Sequence, residues 1–235
     1  MIMILYRIKA NIPVIIMGET GYGKTSLIIK LNQLLHNGEK TIRVININPC
    51  LNDKDICKEM NLINEDAKKI KDEIWVCFNK INTCLSLPLL TEIFMNRTYN
   101  GEKINDNIRL IGECNPYRKR KTEIEILGLC LDDDNDTDTD NKLEYLVQPL
   151  PQSLLYYVFN FGSINEEDEK KYIYYIIEKL FTSEEKKLHE ITREAIFECH
   201  KYLRVILGPS IISLREISRF IKLVIFFQKY FSIKD

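Results

Sequence analysis

The sequence predicts a parallel α/β sheet followed by helices alone. Three observations carry this reading. Short apolar runs rich in β-branched residues alternate with helical patterns up to Leu150. A glycine-rich loop joins the first such run to the first helical pattern. After Pro149-Leu150-Pro151 the pattern turns to helix only. The chain has 235 residues, 45% hydrophobic and 29% charged, so it can fill a core and is not a disordered composition.

Val14 to Met17 is a continuous apolar run bounded by Pro13 and Gly18, as expected of a strand covered on both faces. Thr25 to Leu35 then shows helical spacing through Leu27, Ile28, Leu31, Leu34 and Leu35, with Asn37-Gly38 as a candidate C-cap. Ile42 to Ile47 is the second strand candidate, followed by a polar helical region from Asp53 to Asp72. Ile74 to Phe78 is the third strand, Ser86 to Met95 a helix, Ile108 to Gly112 the fourth strand, and Tyr145-Leu146-Val147 the start of a fifth. From Ser153 onward the pattern gives helices at Lys171 to Phe181, Ser183 to Leu207 and Ser213 to Phe231, with capping-box spacing at Ser213 and Glu216. A boundary is therefore expected near 151, with domains 1–151 and 152–235.

Several function classes are disfavoured at once. Lys and Arg number 33 against 34 Asp and Glu, and this near-neutral balance argues against a nucleic-acid partner held by counterion release. The opening MIMILYRIKANIPVIIMG is broken by Arg7, Lys9 and Asn11, and no small-residue cleavage site follows. No uninterrupted apolar run has the length to cross a membrane, so no transmembrane segment and a cytoplasmic location are expected. The seven cysteines show no C-x-x-C and no zinc spacing, consistent with reduced thiols. LDDDNDTDTDNK (131–142) lacks the Gly and Glu that a calcium loop needs, and reads as a solvated acidic loop. The basic run Arg118 to Lys121 reads as solvated or facing phosphates.

Gly18-Glu19-Thr20-Gly21-Tyr22-Gly23-Lys24-Thr25 matches G-x-x-x-x-G-K-[ST] without departure, with a strand before it and a helix after it. Glycines let backbone N–H groups turn inward around an anion, and the helix start points its positive dipole end there. Lys24 is the candidate ligand for the β- and γ-phosphates, and Thr25 the candidate metal-binding hydroxyl. The loop residues together with Ser26 make the candidate nucleotide site, with Mg²⁺ as the metal.

Hydrolysis is a separate matter. P-loop enzymes carry an acid at the end of another strand. Here the third strand runs into Asn79-Lys80. An amide brings no charge, and a protonated lysine cannot accept a proton from an attacking water. Glu113, just past the fourth strand, is the alternative acid. Asn115 stands where a ligand-facing edge is expected, either orienting water and γ-phosphate or forming an Asn-Pro turn. Arg118 is either a finger reaching a neighbouring subunit or an exposed arginine. Arg215 and Arg219 share one helix face, and either closes over the nucleotide or pairs with Glu216 at the surface.

Taken together, the P-loop, the acidic-motif position, the Asn-bearing fourth strand and the arginine-bearing helices resemble the AAA+ module. More narrowly, the chain is similar to the mysterin family of giant RING-type E3 ubiquitin ligases with a dynein-like AAA+ core. The similarity rests on Met17 to Ile28, Ile81 to Ile104, Ile108 to Lys121, Tyr145 to Ile164 and Leu207 to Phe220. The resemblance implies a P-loop AAA+ fold with a five-stranded parallel sheet, then a helical lid. It implies ATP and Mg²⁺ as cofactors and neighbouring AAA+ modules, in cis or trans, as partners. It makes Asn115 sensor 1, Arg215 sensor 2 and Arg118 the finger. Asn79 and Lys80 depart from the expected Asp-Glu, which implies ATP binding with impaired hydrolysis. The alternative is an active ATPase whose acid comes from Glu113 or a neighbouring subunit. No C-x-x-C pair is present to build a RING, so ubiquitin transfer is not expected of these residues. The chain reads as one AAA+ module, either a fragment or a truncated paralogue.

Overall fold

The computed structural model describes residues 2–36, 41–70, 72–117, 147–162, 164–180, 186–207 and 212–232. In chain order the elements are α1 (Ile2–Lys9), β1 (Val14–Met17), α2 (Lys24–Leu35), β2 (Ile42–Asn46), α3 (Asp53–Lys69), β3 (Ile74–Asn79), a 3-10 turn (Ile81–Thr83), α4 (Leu87–Asn96), β4 (Thr98–Tyr99), β5 (Glu102–Lys103), β6 (Ile108–Cys114), α5 (Gln152–Leu155), β7 (Val158–Asn160), α6 (Glu166–Leu180), α7 (Lys186–Leu207) and α8 (Leu214–Ser232).

Contacts divide the described chain into two units, the first holding residues up to 18, 23–117 and 147–162, the second 19–22 and 164 onward. The first unit is built on a parallel sheet in the order β2-β3-β6-β1-β7. Its three central strands, β3, β6 and β1, are buried on both faces, as in a parallel sheet covered by helices, whereas the edge strands β2 and β7 are largely open. Period-2 alternation sorts the side chains. Trp75 and Cys77 face one way, packing with Ile8, Ile16, Ile28 and Leu31, whereas Val76 and Phe78 face the other, packing with Ile56, Met60, Leu90 and Phe94. Asn52 caps α3 in a full capping box, its Oδ1 accepting from the Asp55 N–H at 3.1 Å while Asp55 Oδ2 accepts from the Asn52 N–H at 3.3 Å.

The five-stranded parallel sheet expected from the sequence is present, with one member displaced. Val147 is not in a strand, and Tyr145 and Leu146 lie outside the described residues. The fifth strand is instead β7, whose Ile15–Val158, Ile16–Phe159 and Met17–Asn160 pairings close the sheet beyond β1. Residues to 162 group with the first unit, and the stretch after Ser153 is not helix only. The helix α1 and the β4–β5 hairpin had no counterpart in the sequence reading. α1 is amphipathic, burying Ile4 and Ile8 four residues apart.

The second unit packs α6, α7 and α8 around Ile173, Ile177, Ile196, Phe197, Leu214, Ile217 and Ile221. α8 is not buried all round: Phe220, Leu223, Phe226, Phe227 and Tyr230 are exposed. Among the described residues no helix is long and apolar enough to cross a membrane.

Candidate functional site

The carboxyl ends of the parallel strands share one edge, and there the glycine loop leaves β1. Gly21 and Gly23 hold φ of +88° and +81°, a region costly for any residue with a Cβ. Gly18 is needed for a different reason. A Cβ there would lie 2.9 Å from the Phe161 Cβ, and the Gly18 N–H donates to the Cys114 carbonyl at 3.2 Å, pinning the loop's entry to β6. Gly23 ends the loop as the N-cap of α2, with no side-chain hydrogen bond of its own to the helix's first amides. A helix start without a side-chain cap keeps its N–H groups available to an external anion.

Lys24 is buried, 8% exposed, and its Nζ donates to the Gly18 carbonyl at 2.6 Å. The ammonium is thus folded back into the loop that it would share with phosphate. Thr25 Oγ1 donates to Glu113 Oε2 at 2.8 Å, and Cys77 Sγ donates to Glu113 Oε1 at 3.3 Å. Glu113 itself is 1% exposed and lies opposite Ile16 in the β1–β6 register. The strand β6 runs on through Glu113 and Cys114, so this carboxylate belongs to the strand and does not follow it. Burial drives the Cys77 thiol well above its ordinary pKa, and the charge of Glu113 adds to the rise. The Cys114 thiol is pushed up to about 12 by burial, with Glu113 adding and Lys24 opposing. Both thiols stay protonated at neutral pH.

The remaining first-unit residues form a row of asparagines. Asn79 Nδ2 donates to Asn46 Oδ1 at 3.1 Å, an amide pair linking the ends of β3 and β2. Lys80 is exposed in the left-handed region at φ 61°, capping the 3-10 turn. Asn115 is held by Asn82, whose Nδ2 donates to the Asn115 carbonyl at 2.8 Å while its Oδ1 accepts from the Asn115 N–H at 3.3 Å. Asn82 is 1% exposed and was not singled out in the sequence; only the meeting of the 3-10 turn with the end of β6 reveals it. Ser26 is exposed on α2, and Arg118 lies outside the described residues.

Within the second unit, Glu19, Thr20, Gly21 and Tyr22 cluster with the helices. Arg204 NH2 donates to the Tyr22 hydroxyl at 2.9 Å, and Arg204 NH1 pairs with Glu169, which also meets His200 Nε2 at 3.2 Å. Burial would raise the Glu169 pKa, but hydrogen bonds from His200 and Arg204 and their charges hold it below the ordinary carboxylate value. Arg215 is exposed in the first turn of α8, its N–H donating to Ser213 Oγ at 3.3 Å, while Arg219 pairs with Glu216 at 2.9 Å. The surface pairing is thus realised for Arg219. No group of His, Cys, Asp and Glu among the described residues could by itself hold a metal ion. The described cysteines are all free thiols.

The loop fits a nucleotide's phosphates: two positive-φ glycines, an uncapped helix start, a lysine folded against the loop, and a threonine hydroxyl beside a buried carboxylate. Residues 1–118 match the family described as RNF213 AAA domain. Over 98% of its length the chain is 28% identical to the zebrafish (Danio rerio) E3 ubiquitin-protein ligase rnf213-beta. It is 32% identical to mouse (Mus musculus) E3 ubiquitin-protein ligase RNF213 over 75% of the chain, and 28% identical to the human protein of that name over 95%. It spans only 4–5% of the length of these relatives. With a match over half its length and a P-loop seated on a five-stranded parallel sheet, the chain belongs to the RNF213 AAA domain family.

Proposed function

We propose that this chain is an ATP-binding AAA module of an RNF213-like ubiquitin ligase that holds Mg²⁺·ATP and turns it over slowly. The observation that supports it best is the pairing of an intact phosphate loop with an amide pair, Asn79–Asn46, at the strand end where catalysis needs an acid. The Gly18–Thr25 backbone would wrap the phosphates, Lys24 would exchange its bond to the Gly18 carbonyl for phosphate oxygens, and Thr25 would offer its hydroxyl to the metal. Bound Mg²⁺ would neutralise phosphate charge. Asn115, its backbone set by Asn82, would turn its side-chain amide to the γ-phosphate or to the attacking water. Neither Asn79 nor charged Lys80 takes a proton from that water. Absence of a placed general base costs about 10²–10⁴ in rate, or about 3–5 kcal/mol of barrier.

Adenine preference, neighbouring AAA modules as partners, a cytoplasmic setting, and roles for Arg215 and Arg118 as sensor and finger follow from the family likeness and belong to this proposal. Ubiquitin transfer would fall to other parts of such a ligase. The test is a calorimetric titration of the purified chain with Mg²⁺·ATP, paired with phosphate release. Saturable binding abolished by Lys24→Ala, with little phosphate released, is expected. Sustained multiple turnover that Lys24→Ala removes would overturn the slow-turnover part of the reading.

A further inference from the structure

We infer that Glu113 supplies the carboxylate of the metal shell, from β6, in place of the acid that Asn79 does not provide on β3. The inference rests on the nucleotide-binding reading and deepens it. The observation is geometric: a carboxylate 1% exposed, bonded at 2.8 Å to the Thr25 hydroxyl, the candidate metal-binding group of the phosphate loop.

A carboxylate so deeply buried is expensive unless a positive charge or several donors compensate it. The two donors that meet its oxygens, Thr25 Oγ1 and Cys77 Sγ, are both neutral, and the thiol is a weak donor. Such a group is stabilised by a cation arriving beside it. The direction of the Thr25 bond matters as well. A hydroxyl has one proton and two lone pairs; with its proton committed to Glu113, its lone pairs are left for a metal. With a cation held at the Thr25 hydroxyl, Glu113 would supply negative charge behind that hydroxyl, as the outer-shell partners of metal sites do. Cys77 has a part in this. Its Sγ donates to Oε1 at 3.3 Å and leaves Oε2 for Thr25.

Asn79 cannot compete for the role. It is uncharged, and its amide nitrogen is engaged with Asn46 along the rim. Glu113 therefore restores charge to the metal shell without restoring a general base at the third strand. Binding and turnover separate: Mg²⁺ tightens nucleotide binding while hydrolysis stays slow.

The experiment titrates the full chain with a fluorescent ATP analogue in Mg²⁺ and in EDTA, and counts bound Mn²⁺ by electron paramagnetic resonance in the presence of ADP. In wild type, Mg²⁺ tightens binding. Glu113→Gln is expected to lose about tenfold of that gain, whatever its affinity in EDTA, and to lose the bound Mn²⁺. Adding Asn79→Asp to Glu113→Gln returns a carboxylate to β3 and recovers part of the gain. Should Glu113→Gln fail to fold by circular dichroism, Glu113→Ala, which removes the carboxyl group altogether, is read in the same way. An unchanged Mg²⁺ dependence and Mn²⁺ count in the folded variant overturns the role given to Glu113. No ATP binding by wild type in either condition overturns the nucleotide-binding reading itself, and the two failures are thereby told apart.

Discussion

Asn82 treats Asn115 as a neighbouring strand would: one side-chain amide meets both the N–H and the carbonyl of a single backbone residue, at 3.3 and 2.8 Å. Only one orientation of the Asn82 amide satisfies both bonds. The side chain therefore sets where β6 hands over to Asn115.

Asn82→Ala removes both bonds at a site 1% exposed. An unsatisfied buried polar group costs about 1–3 kcal/mol, so a loss of about 2 kcal/mol or more in chemical denaturation is expected. If Asn115 reads the γ-phosphate, ATP affinity falls further than ADP affinity. Equal losses for both nucleotides would make Asn82 a structural residue only.

Gly18→Ala forces a Cβ to within 2.9 Å of the Phe161 Cβ. The clash is with the root of a side chain, which cannot swing aside, so backbone must move. Overpacking of this kind costs about 1–3 kcal/mol. The expected result is a lower melting temperature together with weaker nucleotide binding, read by thermal shift. A variant that melts and binds as wild type would refute the close approach of β7's end to the loop.

Asn79→Asp with Lys80→Glu places an acid pair at the end of β3. Phosphate release should rise by about tenfold or more, toward the 10²–10⁴ that a placed base contributes. No gain in a folded double variant would show that the end of β3 is not the position from which water is activated.

Glu169 gives a pH signature. Its carboxyl is held below the ordinary value by His200 and Arg204 against the opposing effect of burial. A group whose folded pKa is depressed contributes stability that is present above its unfolded value and is lost as pH falls through the folded one. The helices should therefore weaken as pH drops below about 4.3, the ordinary Glu value. Glu169→Gln should be less stable at neutral pH and should show a flatter acid limb in circular dichroism. An acid limb identical to wild type would exclude Glu169 as its source.

The parts of the fold that the sequence announced are those with strong local signals. β1 and β3 are continuous apolar runs because helices cover both faces, and α2 shows its spacing directly behind an eight-residue motif. β7 escaped because it has only three residues, two half-buried and one exposed, too few to show a pattern, whereas Tyr145-Leu146-Val147 looked more strand-like. Gly112 resembled a strand end. It is instead an interior residue, where a Cβ would sit 3.2–3.3 Å from Ile81, Phe94 and Ile15, and the strand continues to Cys114. That continuation is what turns Glu113 inward to Thr25. Asn82 was invisible for another reason: its partner is backbone 33 residues away, and only tertiary structure names it.

Four of the five strands in the main sheet finish on, or immediately before, an asparagine: Asn46, Asn79, Asn115 and Asn160. Side-chain amides neither gain nor lose a proton, yet each carries a donor and an acceptor. A guest meeting this border would find hydrogen-bonding versatility in place of fixed polarity. Salt and acidity should consequently leave that border's grip almost untouched, and any ionic-strength sensitivity in ligand capture would trace to the few charged side chains set among the amides.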